Sequence, residues 1–156
     1  MRLFVGLSLP DDVRALLGPL KGGLPGARWI EDENLHLSLR FIGDVTGGDE
    51  RDIDLALQLV SGKPFDVTLA GLGTFERRGR VHSLWVGLKK ADAAVALHDR
   101  IESALVRAKL EPEHRKFKAH VTLARLKNGS AADAALYLGS HAGFKTPAFT
   151  VNHFTL

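Results

Sequence analysis

The sequence predicts a fold of mixed strands and helices that is built from two similar lobes. The run "LFVGL" at 3–7 returns as "LWVGL" at 84–88, and such β-rich runs favour strands. Each run is followed by a helical pattern and then by a strand that begins with a histidine. The chain therefore holds two copies of a strand, helix, strand unit. Its 156 residues suit a single domain, residues 1–156, of two duplicated lobes.

The helix of each copy follows from the spacing of its apolar residues. Pro10 precedes the first helix, and glycines between Gly18 and Gly23 end it. The second helix has an apolar face that recurs with helical periodicity; its members are Ala94, Leu97, Ile101, Ala104, Leu105 and Ala108. At an offset of 81 residues the two helices correspond, since Asp11, Ala15 and Leu16 align with Asp92, Ala96 and Leu97.

Four further elements complete the two lobes. The stretch 49–60 predicts a helix with Ile53, Leu57 and Val60 on one side. Alternating apolar residues predict a strand over 64–72. An Ala-rich helix is predicted at 131–140, and a final strand at 148–156.

Composition and charge narrow the class of protein. The 45% hydrophobic and 25% charged residues are typical of globular domains. The chain has no cysteine, which excludes disulfides, thiolate metal sites and a Cys nucleophile. The N-terminal "MRLFVGLSLP" resembles a first strand more than a signal peptide, so a cytoplasmic location is expected. The net charge of +3 is compatible with a phosphate-bearing partner. Basic clusters at 76–80 and 114–118 are compatible with the same partner. The alternative for each cluster is a solvated loop.

A histidine followed two residues later by a hydroxyl residue occurs three times. The copies are "HLSL" at 36–39, "HVTL" at 120–123 and "HFTL" at 153–156. On a strand His36 and Ser38 share one face, as do His120 and Thr122, while the apolar residues between them point into the core. The first two copies occupy equivalent places in the repeat and the third does not. We therefore pair the first two and interpret His153 as an ordinary strand residue.

Two imidazoles and two hydroxyls on rigid strands suit the cleavage of a phosphodiester. One neutral imidazole can take a proton from water, and a protonated one can give a proton to the leaving oxygen. The hydroxyls can donate hydrogen bonds to the phosphate oxygens. The chain lacks a phosphate-binding glycine loop, H-E-x-x-H spacing and a G-x-S-x-G elbow, so no metal and no cofactor is expected.

In their contexts, "NLHLSLRFIGDV" at 34–45 and "KFKAHVTLARL" at 116–126 resemble the two-histidine (2H) phosphoesterase superfamily, and most closely the bacterial RNA 2',3'-cyclic phosphodiesterases, also described as 2'-5' RNA ligase-like. The resemblance covers essentially the whole chain. It implies an α+β fold of two pseudo-symmetric lobes, each an antiparallel sheet with outer helices, around a central positive cleft. Members of the family commonly continue past the equivalent of "FTL", so C-terminal strands are expected to be missing from a chain that stops at Leu156.

The resemblance also implies an activity, the hydrolysis of a 2',3'-cyclic phosphate at an RNA end to a 2'-phosphate without metal, with reverse 2'-5' ligation. His36 would be the general acid and His120 the general base. Ser38, Thr122 and Arg125 would bind the phosphate. Phe41 and Phe117 would shape the pocket or stack on a base, with core packing as the alternative for each.

Two other functions remain open at this point. One is a non-catalytic protein that binds the 3'-terminal phosphate of RNA in the same cleft. The other is an enzyme of the same superfamily that acts on a small cyclic nucleotide. A monomer without membrane attachment is expected in each case.

Overall fold

The computed structural model describes residues 2–156, which form eight strands and four α-helices. The strands are β1 Arg2–Ser8, β2 Arg28–Trp29, β3 His36–Asp44, β4 Phe65–Val67, β5 Leu69–Arg77, β6 Arg80–Leu88, β7 His120–Gly129 and β8 Phe149–Val151. The helices are α1 Asp11–Leu17, α2 Gly47–Gln58, α3 Asp92–Arg107 and α4 Ala131–Ser140. Within residues 2–156, no helix has both the length and the apolar character needed to cross a membrane.

The main sheet is antiparallel, and its strands run in the order β1-β3-β7-β6-β5, with β2 added along β7. In the first repeat β1 pairs with the histidine strand β3, and in the second repeat β6 pairs with the histidine strand β7. The two halves meet where β3 lies beside β7, at the registered pair Leu37 and Val121. The predicted α+β fold of two similar lobes is therefore confirmed, and the two histidine strands form its central joint.

The helices cover the apolar face of this sheet. Five of the six residues predicted for the buried face of α3 are buried, namely Ala94, Leu97, Ile101, Ala104 and Leu105. Burial of one such Leu or Ile side chain stabilises the fold by about 1.5–3 kcal/mol. Helix α2 begins at 47 rather than 49 because the Thr46 hydroxyl accepts a hydrogen bond from Asp49 N and caps it. Ser130 caps α4 in the same way, and α4 has the predicted bounds.

Two predicted strands are wrong in extent. The run 64–72 is not one strand, because β4 pairs with β8 in a separate two-stranded sheet, whereas β5 pairs with β6. Thr146 separates the two, since its backbone N–H donates to Leu69 O and its hydroxyl accepts from Leu69 N. The run 148–156 is regular only over β8, and Thr155 then makes an isolated bridge with Gly6 on β1.

The basic cluster at 76–80 is a hairpin turn rather than an open loop. Arg77 pairs with Arg80, and Arg78 and Gly79 both have positive φ, at 54° and 74°. A two-residue hairpin with a primed turn requires this conformation at both central positions. The cluster therefore closes the β5–β6 hairpin.

Candidate active site

The pair Leu37 and Val121 brings the two histidine motifs together. The two strands run antiparallel, so the residues beside this pair face each other crosswise. His36 on β3 lies opposite Thr122, and Ser38 lies opposite His120. Diagonal neighbours on such a pair are about 7–8 Å apart, which leaves room for one phosphate between the two imidazoles. Each imidazole thus has beside it the hydroxyl of the other motif.

Both histidine strands carry a β-bulge three residues after the histidine. On β3 the pairing passes from Ser38 to Arg40 and leaves Leu39 without a partner on β1. On β7 it passes from Thr122 to Ala124 and leaves Leu123 without a partner on β6. A bulge changes the direction of the side chains that follow it. The duplicated bulge is therefore a structural trace of the sequence repeat.

The bulges return the next side chain of each strand to the histidine face. The residues at the bulges, Leu39, Arg40, Leu123 and Ala124, are buried. Phe41 and Arg125 follow them and are exposed. Phe41 pairs with Phe4 on β1, and the ring of Phe4 stacks on His36. Phe41 therefore lies on the same face of the sheet as His36. On β7 the charge of Arg125 acts on His120, so Arg125 lies on the same face as that histidine.

His120 is oriented by its own strand and by two aromatic side chains. Its Nδ1 lies 2.6 Å from Lys118 O, and because a carbonyl only accepts, Nδ1 carries the proton. Nε2 is then left to exchange a proton with a substrate. The ring of Phe75 meets the imidazole edge-on at 5.0 Å between centroids, and Trp85 lies at 6.1 Å.

His36 has a comparable environment from the first repeat. The ring of Phe4 stacks on the imidazole at 4.4 Å between centroids and 17° between planes. Arg14 of α1 donates hydrogen bonds from Nε and Nη2 to Leu35 O, which positions its guanidinium beside the motif. The imidazole also hydrogen-bonds with the backbone of Asn34, two residues earlier, as His120 does with Lys118.

Burial is the largest cause that lowers the pKa of both imidazoles. For His36 the backbone hydrogen bond with Asn34 opposes this effect, and the charge of Arg14 adds to it. For His120 the bond to Lys118 O opposes it, and the charges of Lys118 and Arg125 lower the pKa further. Nearby cations disfavour a protonated imidazole. The site is therefore positively charged around two histidines that lose protons readily, an environment that suits an anionic phosphate.

The structure brings most of the predicted site residues to one face. Ser38 is exposed and Thr122 is half-buried, each one strand position from the Leu37–Val121 pair. Phe117 precedes β7, and its ring stacks on His98 at 4.0 Å between centroids and 4° between planes. His153 is exposed and contacts Asn152 through Nδ1.

Sequence reasoning missed four residues that surround the histidines. Phe4 and Trp85 stand at equivalent places of the repeat, second in "LFVGL" and in "LWVGL", and each contacts the histidine of its own copy. That shared aromatic position was a usable signal. Phe75 and Arg14 left none, because strand pairing brings Phe75 to the site and the position of α1 brings Arg14 to Leu35 O.

Known proteins are similar to this chain over most of its length. A curated RNA 2',3'-cyclic phosphodiesterase from Archaeoglobus fulgidus is 32% identical over 140 residues, which cover 85% of this chain and 78% of that protein. One from Geobacillus stearothermophilus is 31% identical over 82% of this chain, but the match spans only 43% of its own length. The crystal structure of Escherichia coli LigT complexed with 3'-AMP superposes with a TM-score of 0.75 at 25% identity, covering 99% of this chain and 85% of that one.

A family model matches nearly the whole chain. The match covers residues 9–156, and the model describes the 2'-5' RNA ligase superfamily. It includes both histidine motifs and both histidine strands. This chain is a member of the 2'-5' RNA ligase superfamily.

Proposed function

We propose that this protein is an RNA 2',3'-cyclic phosphodiesterase that opens the cyclic phosphate at an RNA 3' end to a 2'-phosphate. The observation that carries the proposal is the crosswise arrangement of His36, Ser38, His120 and Thr122 on two adjacent strands. The relatives named RNA 2',3'-cyclic phosphodiesterase support it. RNA ends are therefore the proposed partners, and the reverse reaction, 2'-5' ligation, would use the same two imidazoles.

The proposed step needs a base and an acid on opposite sides of the phosphorus. His120 takes a proton from water through Nε2, and the water oxygen forms a bond to phosphorus. The bond from phosphorus to O3' breaks, and His36 gives its proton to the departing O3'. The product carries the phosphate on O2' and a free 3'-hydroxyl. Both histidines thereby exchange their protonation states in one turnover.

The remaining polar groups stabilise the charge on the phosphate. The hydroxyls of Ser38 and Thr122 donate hydrogen bonds to its non-bridging oxygens. The guanidinium of Arg125 adds a charge-assisted contact. Phe41 shares the face and is 51% exposed, so its ring is available to the ribose or base of the same nucleotide.

The test is hydrolysis of a short RNA that ends in a 2',3'-cyclic phosphate, with EDTA present. The product is identified by mass and by the position of its phosphate. We expect a 2'-phosphate from the wild type and loss of turnover in His36→Ala and in His120→Ala. His153→Ala is the matched control, because the third motif has the same pattern but lies outside the pair, and it should retain activity.

Two results would overturn the proposal. Full activity of either His36→Ala or His120→Ala would exclude the two-histidine mechanism. RNA that binds but keeps its cyclic phosphate would identify a binding protein instead. In that case the affinity should fall as salt rises, because phosphate contacts release counterions.

A further inference from the structure

A pocket of about 670 Å³ opens beside His120 and has no role in the reaction described above. Two of its walls are Phe75 and Trp85, the same rings that contact His120. Phe117 and Val95 of α3 also line the pocket. The pocket therefore shares two aromatic walls with the surroundings of His120. Its volume is in the range of sites that bind small molecules, about 300–1,000 Å³.

The walls offer aromatic rings that are held in place. The ring of Phe117 is stacked on His98, whose side chain is only 12% exposed. Phe75 packs against Trp85 at 5.5 Å between centroids and is itself 39% exposed. Rings that are both anchored and exposed are the surfaces on which proteins stack the bases of single-stranded nucleic acids.

The rim of the pocket is positively charged. Lys116 and Lys118 both line it. The ammonium of Lys118 lies over the Trp85 ring at 4.7 Å, so it is directed along the wall. Lys116 is exposed. These lysines precede His120 in the chain, whereas Ser38, Thr122 and Arg125, which are proposed to bind the reacting phosphate, follow the histidines.

We propose that this pocket binds the nucleotide on the 5' side of the reacting one. The base of that nucleotide stacks against Phe75 and Phe117, and the phosphate that links the two nucleotides lies at Lys116. A free nucleoside 2',3'-cyclic phosphate has no phosphate to offer these lysines, because its only phosphate is the cyclic one at the histidines. The inference rests on the proposed phosphodiesterase function and makes the enzyme selective for RNA ends over cyclic mononucleotides.

The test compares two substrates, adenosine 2',3'-cyclic phosphate and the dinucleotide ApA that ends in a 2',3'-cyclic phosphate. Val95→Trp fills the pocket, and Lys116→Gln removes one charge. Their controls are Val106→Trp, at the other end of α3, and Lys109→Gln, two residues past that end, and both residues are exposed. Val106 lies about 16 Å from Val95 along the helix axis at 1.5 Å per residue.

We expect the wild type to have a higher kcat/KM for the dinucleotide than for the mononucleotide. Val95→Trp should lower the dinucleotide value roughly 10-fold, the loss of one stacked base, and leave the mononucleotide value unchanged. Lys116→Gln should reduce the slope of log KM against log salt for the dinucleotide by about 0.7, the value for one phosphate contact on a single strand. Both controls should behave as the wild type.

Three results would overturn the inference. The first is equal kcat/KM of the wild type for the two substrates. The second is an equal loss for both substrates in Val95→Trp, which would assign the pocket to the terminal nucleotide. The third is no effect of either pocket variant on the dinucleotide. In all three results the wild type still hydrolyses at least one of the two substrates. If the proposed function itself is wrong, the wild type hydrolyses neither substrate, so the two failures can be told apart.

Discussion

Leu37 and Val121 face each other at the joint between β3 and β7, and both side chains are buried, at 1% and 0% exposure. Their apolar contact holds the two halves of the sheet in one register. A shift of one residue between the strands would turn the side chains of one strand, its histidine included, to the opposite face of the sheet and separate the two imidazoles. The catalytic geometry proposed here therefore depends on an apolar pair that takes no part in the chemistry.

The two hydroxyls should contribute to rate more than to stability. Ser38→Ala and Thr122→Val each remove one donor to the phosphate while keeping the size of the side chain close to the original. We expect each change to lower kcat by about 10²–10³, measured with the RNA cyclic phosphate. Ser103→Ala, on the exposed side of α3, is the control and should leave kcat unchanged. Wild-type kcat in both site variants would remove the hydroxyls from the mechanism.

The dependence of kcat/KM on pH should report the two lowered pKa values. This parameter reflects the free enzyme, in which the pKa of His36 and that of His120 both lie below the ordinary value of 6.5. Activity should fall at low pH as the base is protonated, and at higher pH as the acid is deprotonated. We therefore expect a bell with its maximum below pH 6.5. The two apparent pKa values belong to the histidine pair as a unit.

Removal of a neighbouring charge should move this profile in a known direction. The charge of Arg125 lowers the pKa of His120, so Arg125→Gln should shift the limb of the base to higher pH, together with a loss of kcat/KM. A bell centred above pH 6.5 in the wild type, or an unshifted limb in the variant, would contradict the electrostatic description of the site.

The same two histidines should make the fold less stable in mild acid. Their pKa values are lower in the folded chain, so the unfolded chain binds more protons as pH falls below 6.5. Their contribution to stability is therefore complete above pH 6.5 and is lost as pH falls through the folded pKa values. Urea unfolding at pH 7.5 and at pH 5 measures the difference. The double variant His36→Ala/His120→Ala should lose less stability between these two pH values than the wild type.

Removal of one partner from the buried ion pair of Arg40 and Glu102 should destabilise the fold more than removal of both partners. Arg40 Nε lies 2.8 Å from Glu102 Oε2, and the two side chains are 7% and 20% exposed. Arg40 also donates to Phe41 O and to Glu111 O, and so ties β3 to α3 and to the segment that follows α3. Arg40→Leu leaves the Glu102 carboxylate buried without its partner and should lower the free energy of unfolding by about 3–5 kcal/mol.

A second variant separates this explanation from simple loss of packing. Arg40→Leu/Glu102→Leu removes both charges and should recover much of the stability, as measured by denaturant unfolding. A double variant no more stable than Arg40→Leu would show that the cost lies in packing. Lys21→Ala is the control for an exposed ion pair, because its partner Asp32 is 65% exposed. This variant should change the free energy of unfolding by less than about 1 kcal/mol.

Gly73 should be required for the position of Trp85. A Cβ at Gly73 would lie 2.4 Å from the Trp85 ring, so Gly73→Ala must displace a ring that lies beside His120. We expect a loss of about 1–3 kcal/mol of stability, a change in tryptophan fluorescence and a lower kcat. Gly18→Ala is the control, since nothing lies within 4 Å of the added Cβ and φ is −53°. Unchanged fluorescence and kcat in Gly73→Ala would show that the ring has room to move.

Local patterns were enough to predict the repeat, the strand, helix and histidine strand of each copy, and the pairing of the first two motifs. These features are local: periodicity selects helix or strand, and alternation on a strand assigns His36 and Ser38 to one face. The equivalence of "LFVGL" and "LWVGL" also contained the aromatic neighbours Phe4 and Trp85, although only the fold shows what they contact.

Features that depend on pairing between distant strands became visible only in the folded chain. The bulges at Leu39 and Leu123, the split of 64–72 between two sheets and the approach of Phe75 to His120 all arise from register. Register is the sum of many weak contacts between segments far apart in the chain, and no single segment encodes it. For the same reason the pocket beside His120, walled by β5, β6, α3 and the segment before β7, has no signature in the sequence.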